Sequence, residues 1–145
     1  MPGVPMKFKS GPITYTPAEF ITGGQLVEAR GSGRIGVAAA GSTKVLGVAV
    51  TDAINPEAVV TTPTTVQGRP VLNAALLPTT VGVATSGIEV PVTYSGAAAF
   101  GDKLVATANG QVAPAAATPD ARTIVGTCTA PSGVAAAAVG LMRTV

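Results

Sequence analysis

Apolar residues in this chain recur in short runs of four to nine, rich in Val, Ile and Thr, and each run is closed by Gly, Pro, Asn-Pro or Asn-Gly. That pattern is the signature of half-buried strands and tight turns. It predicts strands over Gln25–Ala29, Arg34–Ala38, Val45–Thr51, Val59–Val66, Val81–Ala84, Ile88–Tyr94, Lys103–Thr107, Gln111–Ala113, Ile124–Thr129 and Ala136–Thr144. Only Arg69–Leu77 (RPVLNAALL) has the spacing of a helix, and Pro70 and Pro78 limit it to about two turns. Closely spaced strands separated by turn signals define an all-β fold, a small β-sandwich or a β-tulip-like barrel.

Two segments deserve comparison. Gly23–Ala53 and Gly101–Pro131 read as copies of one strand–turn–strand–loop–strand unit. Gly23 aligns with Gly101, Leu26-Val27 with Leu104-Val105, and Ile35 with Val112. Ala38–Ala40 then matches Ala115–Ala117, and Val45-Leu46-Gly47 matches Ile124-Val125-Gly126.

The repeat resolves an ambiguity. Gly31–Gly36 (GSGRIG) spells G-x-G-x-x-G after an apolar run, with Asp52 some way downstream, the outline of a dinucleotide-binding fingerprint. Its counterpart in the second copy contains Asn109-Gly110, the strongest short hairpin signal. A phosphate site would also need a helix beginning at the last glycine, and Gly41-Ser42 interrupts the chain too soon. GSGRIG is therefore expected to be a hairpin, with no nucleotide or other cofactor and no small-molecule substrate.

Residues 1–20 differ from the rest. Pro2, Pro5, Pro12 and Pro17 exclude a helix, and Phe8, Tyr15 and Phe20 are three of only five aromatics. The segment reads as an extended arm ahead of a β domain spanning residues 21–145. It either lies on another surface or packs as a tail on its own domain. In the first case Lys7, Phe8, Lys9, Tyr15 and Phe20 are the candidate interface residues, the aromatics as anchors and the lysines as partners for acidic groups.

Composition narrows the function. Hydrophobic residues make up 47% and charged residues 11%, well below the roughly 25% charge of ordinary soluble domains; such a chain is expected to hide surface against partners. Histidine is absent, which removes Ser-His-Asp and Cys-His catalysis. The seven carboxylates are dispersed and read as loop and edge charges, Cys128 as a buried apolar residue, and no metal cage is spelled out. The net charge of +2 is scattered singly, so nucleic acid is not an expected partner. Val134–Met142 is far shorter than the ~20 residues of a membrane span, and the N-terminus lacks a secretory h-region. The expectation is a non-enzymatic protein made in the cytoplasm.

The paired wording of GGQLV and GDKLV, a glycine turn into Ile35 or Val112, the alanine triplets and the VLG/IVG strands resembles the small head-decoration (capsid-stabilising) proteins of tailed bacteriophages, over about Gly23 to Val145. The resemblance implies a β-rich module, often a homotrimer, on the outside of an icosahedral virion. There it would bind the major capsid protein and cement neighbouring subunits, without catalytic residues. Another virion module, a tail, fibre or surface adhesin component, is the alternative.

Overall fold

The structure, a computed structural model, describes residues 11–59, 62–72 and 77–145. Among these the fold is all-β, with strands β1 (Ile13–Pro17), β2 (Leu26–Ala29), β3 (Arg34–Val37), β4 (Val45–Ala49), β5 (Pro63–Val66), β6 (Arg69–Leu72), β7 (Val81–Ala84), β8 (Glu89–Thr93), β9 (Lys103–Ala106), β10 (Val112–Pro114), β11 (Ile124–Cys128) and β12 (Val139–Thr144). Each strand expected from alternation has a counterpart, trimmed or shifted at its ends; of Val59–Val66, residues 60 and 61 lie outside the described set and Pro63–Val66 is strand. Two were not expected. β1 lies inside the presumed arm, and β6 occupies the start of the presumed helix, whose remaining residues 73–76 fall outside the described set.

β1 corrects the domain boundary near Phe20. It pairs antiparallel with β7 and parallel with β3, so residues 13–17 belong to the domain. Proline forbids helix but not this strand, because Pro12 precedes it and Pro17 ends it.

Two barrels follow from the repeat. The first is closed, in the order β1-β3-β2-β4-β7. The second is a sheet of order β10-β9-β11-β12-β8, whose edges meet at a single parallel bridge, Tyr94 to Val112. Strand for strand, β8, β9, β10, β11 and β12 take the places of β1, β2, β3, β4 and β7. Pro17 against Ile35 in the first barrel corresponds to Tyr94 against Val112 in the second, and the bridge Ile21–Ala53 corresponds to Ala98–Val134. The repeat is thus larger than its wording and covers nearly all the described chain.

Its register also shifts by one residue from the sequence match. Gly24 (φ 86), rather than Gly23, stands where Gly101 (φ 87) stands. Val27 corresponds to Leu104, because these are the buried residues facing Gly47 and Gly126 across the sheet. The first barrel alone carries an insertion between its fourth and fifth strands, the β5–β6 hairpin.

Both hairpins turn alike. Ser32 has φ 61 and ψ 30, and Asn109 has φ 60 and ψ 28. Each is followed by a glycine of positive φ, Gly33 at 70 and Gly110 at 66, the pair of left-handed residues that primed hairpin turns require. Asp52, the supposed ribose acid, instead accepts a hydrogen bond from the Gly23 N–H at 2.7 Å.

Each barrel has its own interior. Ile21, Val27, Ile35, Ala49, Ala53, Val81 and Val83 fill the first. The second is filled around Tyr94, Leu104, Val112, Cys128 and Met142, and its cluster extends to Leu26, Val48 and Ala84 on the outer face of β2-β4-β7. The second barrel therefore sits by one end on the side of the first. Its turn at Asn109-Gly110 presses on β2, where Gln25 Nε2 donates to the Asn109 carbonyl at 3.1 Å. A Cβ on Gly110 would stand 2.8 Å from the Leu26 carbonyl oxygen.

One carboxylate expected on a loop or edge is buried instead. Glu28 in β2 is 6% exposed, pairs with Arg30 at 3.0 Å and accepts from the Ala39 N–H at 3.2 Å. Burial pushes its carboxyl up, but the Ser42 hydroxyl, the Ala39 N–H and the Arg30 and Lys44 charges together outweigh it and hold the group below its usual 4.5. A carboxyl depressed on folding stabilises the native state above its unfolded value, and that contribution drains as pH falls through the lowered one. Acid titration of unfolding by urea should show stability falling below about pH 4.5, and Glu28→Gln should flatten that fall.

Backbone geometry makes two further predictions. Ser32→Asn matches the left-handed residue of the second copy and should raise stability by about 0.5 kcal/mol. Gly47→Ala places a Cβ into the Ala84 carbonyl and should cost about 2–3 kcal/mol. Urea midpoints at constant slope report both.

Candidate docking surface

Several of the chemistry-bearing side chains are occupied in holding the fold. Arg34 and Glu57 form a two-pronged pair at the free end of the first barrel, which holds the Glu57 carboxyl down at about 2. Arg122 pairs with Asp120 at 2.8 Å and, by hydrogen bonds from its side chain and its backbone N–H, holds that carboxyl below its usual range. Asp102 closes its own turn, accepting from the Ala99 N–H at 2.7 Å. Tyr94, fully buried, donates its hydroxyl to the Leu141 carbonyl at 2.9 Å, and burial first, with Cys128 alongside, pushes its pKa up. Cys128 is a buried free thiol in the second core. Among the described residues no cluster of acids and cysteine has the arrangement of a metal site.

Of the interface candidates read from the sequence, Lys7, Phe8 and Lys9 lie outside the described residues. Tyr15 is half-buried in β1 and packs on the core of the first barrel, so it does not stand free as an anchor. Phe20 is 52% exposed. Tyr15 and Phe20 are thus the two of these candidates that fall among the described residues.

A different surface is apolar and uncovered. In the β8–β12 pair, Val90, Val92, Met142 and Thr144 point inward, while Glu89, Pro91, Val139, Leu141 and Arg143 are exposed. The register sets Val139 opposite Thr93, Leu141 opposite Pro91 and Arg143 opposite Glu89. Val139 is 67% exposed, and Val50 of the first barrel continues the stripe across a shallow cleft with Gly23 and Gly24. Fully covering a valine or leucine is worth about 1.5–3 kcal/mol, so this stripe is suited to a partner. Period-two alternation along Val139–Thr144 carries the signal for it; a reading of Val134–Met142 as one apolar run conceals it.

The second apolar feature is the β5–β6 hairpin. Among the described residues its strands form a separate two-stranded sheet, and Val66, Gln67, Arg69, Pro70 and Val71 are exposed. Phe100 is also exposed, beside an open groove at the far end of the second barrel lined by Ala97–Ala99 and Pro131–Ala135. The exposed apolar residues are therefore spread over sheet faces and loop ends.

No family model matches this chain, and no curated protein matches it. Among solved structures, the chain is similar to the N base of the head fiber gp8.5 of bacteriophage phi29. The TM-score is 0.57 at 17% sequence identity, over 92% of each chain. At that identity the likeness is one of fold, and it extends through both barrels.

Proposed function

We propose that this protein is a structural component of a tailed-phage virion, seated on the outer surface of the head. There it binds the major capsid protein as a homotrimer and cements neighbouring subunits. The observation that carries the reading is the likeness of fold, over nearly the whole chain, to the base of a phage head fiber. The sequence resemblance to head-decoration proteins points the same way. The exposed stripe at Val50, Pro91, Val139 and Leu141 and the low charge suit a protein that works by covering surface. Several weak contacts held in one trimer add as avidity, so no single contact need be strong.

A second reading takes the similar structure more literally: the chain is the base of a head fiber, and its role is to carry an appendage. Electron microscopy of purified particles separates the two. A cementing protein coats the shell as discrete knobs at local three-fold positions, whereas a fiber base lies beneath a longer projection.

Attachment can be tested directly. The full chain should co-sediment with heads that lack it. Deletion of residues 1–10, which stops short of β1, or Phe8→Ala, should weaken attachment at least tenfold with an unchanged circular dichroism spectrum. A full chain that ignores heads at high concentration overturns the capsid reading. A truncated chain that binds as well as the full one removes the arm from it.

A further inference from the structure

Asn109-Gly110 is the one Asn-Gly dipeptide of the chain, and its hairpin does not exhaust its chemistry. The carboxamide of an asparagine and the amide nitrogen of the next residue can close a five-membered ring, and a glycine in that place puts no side chain in the way. The nitrogen gives up its proton to base and bonds to the asparagine Cγ, the bond from Cγ to the amide nitrogen of the side chain breaks, and ammonia leaves. Water then opens the cyclic imide at one of its two carbonyls. The product is either aspartate or an isoaspartate whose main chain runs through Cβ. One water is consumed, and nothing is oxidised or reduced.

Asn109 is exposed, but the fold withholds the nucleophile. With ψ at 28 the Gly110 nitrogen lies across the Cα–C bond from the Asn109 Cβ, whereas the ring needs the two on the same side. Reaching that conformation means swinging the Asn109–Gly110 peptide plane. Its carbonyl is held by Gln25 Nε2 at 3.1 Å, and its glycine is buried against the Leu26 backbone. The first copy provides the contrast. Ser32 has the same backbone, φ 61 and ψ 30, without a carboxamide, and Gly33 is exposed with nothing within 4 Å of a built Cβ.

We propose that Asn109 is a latent deamidation site, kept unreactive by the seating of its turn on β2, and that conversion to isoaspartate unseats the second barrel for good. A primed turn is built on two residues, and a main chain lengthened by one carbon at the first of them no longer fits both the β9–β10 hairpin and the surface at Leu26. The device depends on the joint between the barrels alone, with or without a capsid.

Ser32→Asn puts the same dipeptide on the same backbone in an exposed turn, so one folded chain then holds both cases. The variant, checked for fold by circular dichroism, is incubated in mildly alkaline buffer, and ammonia loss at each position is read by peptide mass spectrometry. Position 32 should convert roughly tenfold faster than Asn109, or more, because the joint must open locally before Asn109 can react. In urea the two should convert alike. Wild type, folded and in urea, gives the comparison for Asn109 without any substitution. Equal rates at the two positions of the folded chain, slow or fast, overturn the proposal, as does a wild-type Asn109 that converts no faster in urea. The isoaspartate form, isolated from aged protein, should bind more of an apolar dye than unconverted protein, through the uncovered Leu26, Val48 and Ala84. An isoaspartate form with no added dye binding sinks the unseating.

Discussion

A sheet of five short strands can close on itself only if one strand bends sharply and lets its neighbour come close. Here that bend falls at the same place in both barrels. The pairing of β2 with β4 slips between Val27 and Glu28, and that of β9 with β11 slips between Leu104 and Val105; the bulged strands carry Gly47 and Gly126. Beyond each glycine the next strand passes so near that a Cβ would overlap a carbonyl, Ala84 in one case and Arg143, at 2.5 Å, in the other. Bulges raise local twist and bend, and barrels use them to turn corners. The interiors that result are narrow, which accounts for the chain's dependence on Val and Ala. Among the described residues Tyr94 is the largest fully buried side chain, and its hydroxyl finds a backbone partner across the barrel.

The two barrels do not face each other as mirror images. The outer face of β2-β4-β7 is Leu26, Val48 and Ala84, and it takes the end of the second barrel. The same positions on the second barrel are Lys103, Thr127 and Arg143, with Lys103 hydrogen-bonded to Thr127. The end of the first barrel that corresponds to the docked end carries Arg34 and Glu57. An end-on-side contact between like units repeats without limit unless the outermost surfaces differ. Both terminal surfaces carry charge, which disfavours a third unit, and the β8–β12 face, the inserted hairpin and Phe100 remain as exposed apolar features.

Much of this was legible in the sequence, and the parts that were not have physical reasons. Alternating Val and Thr runs located ten strands, and Asn109-Gly110 explained GSGRIG. β1 was hidden because Pro12 and Pro17 mark the ends of an edge-compatible strand as readily as they mark an arm. β6 was hidden because RPVLNAALL has helical spacing, while its first residues take their conformation from pairing with β5. The one-residue slip of the repeat arose from matching the letters Leu-Val, when the fold matches the residue opposite the bulged glycine. The docking stripe needed the register of β8 and β12, which no single strand contains. Glu28 looked like an edge charge because the loop that covers it, through Ala39 and Ser42, is brought there only by closure of the barrel.

Each barrel is also contiguous along the chain, the first ending at Ala84 and the second beginning at Glu89. During synthesis the first can therefore close before the second has left the ribosome. In that interval Leu26, Val48 and Ala84 are a nascent hydrophobic surface with nothing yet to cover it, and the Asn109-Gly110 turn that will seat on β2 arrives among the next residues made. Completion of the second barrel is then also the step that shields the first. A ribosome stalled between the two halves would hold a folded but adhesive intermediate.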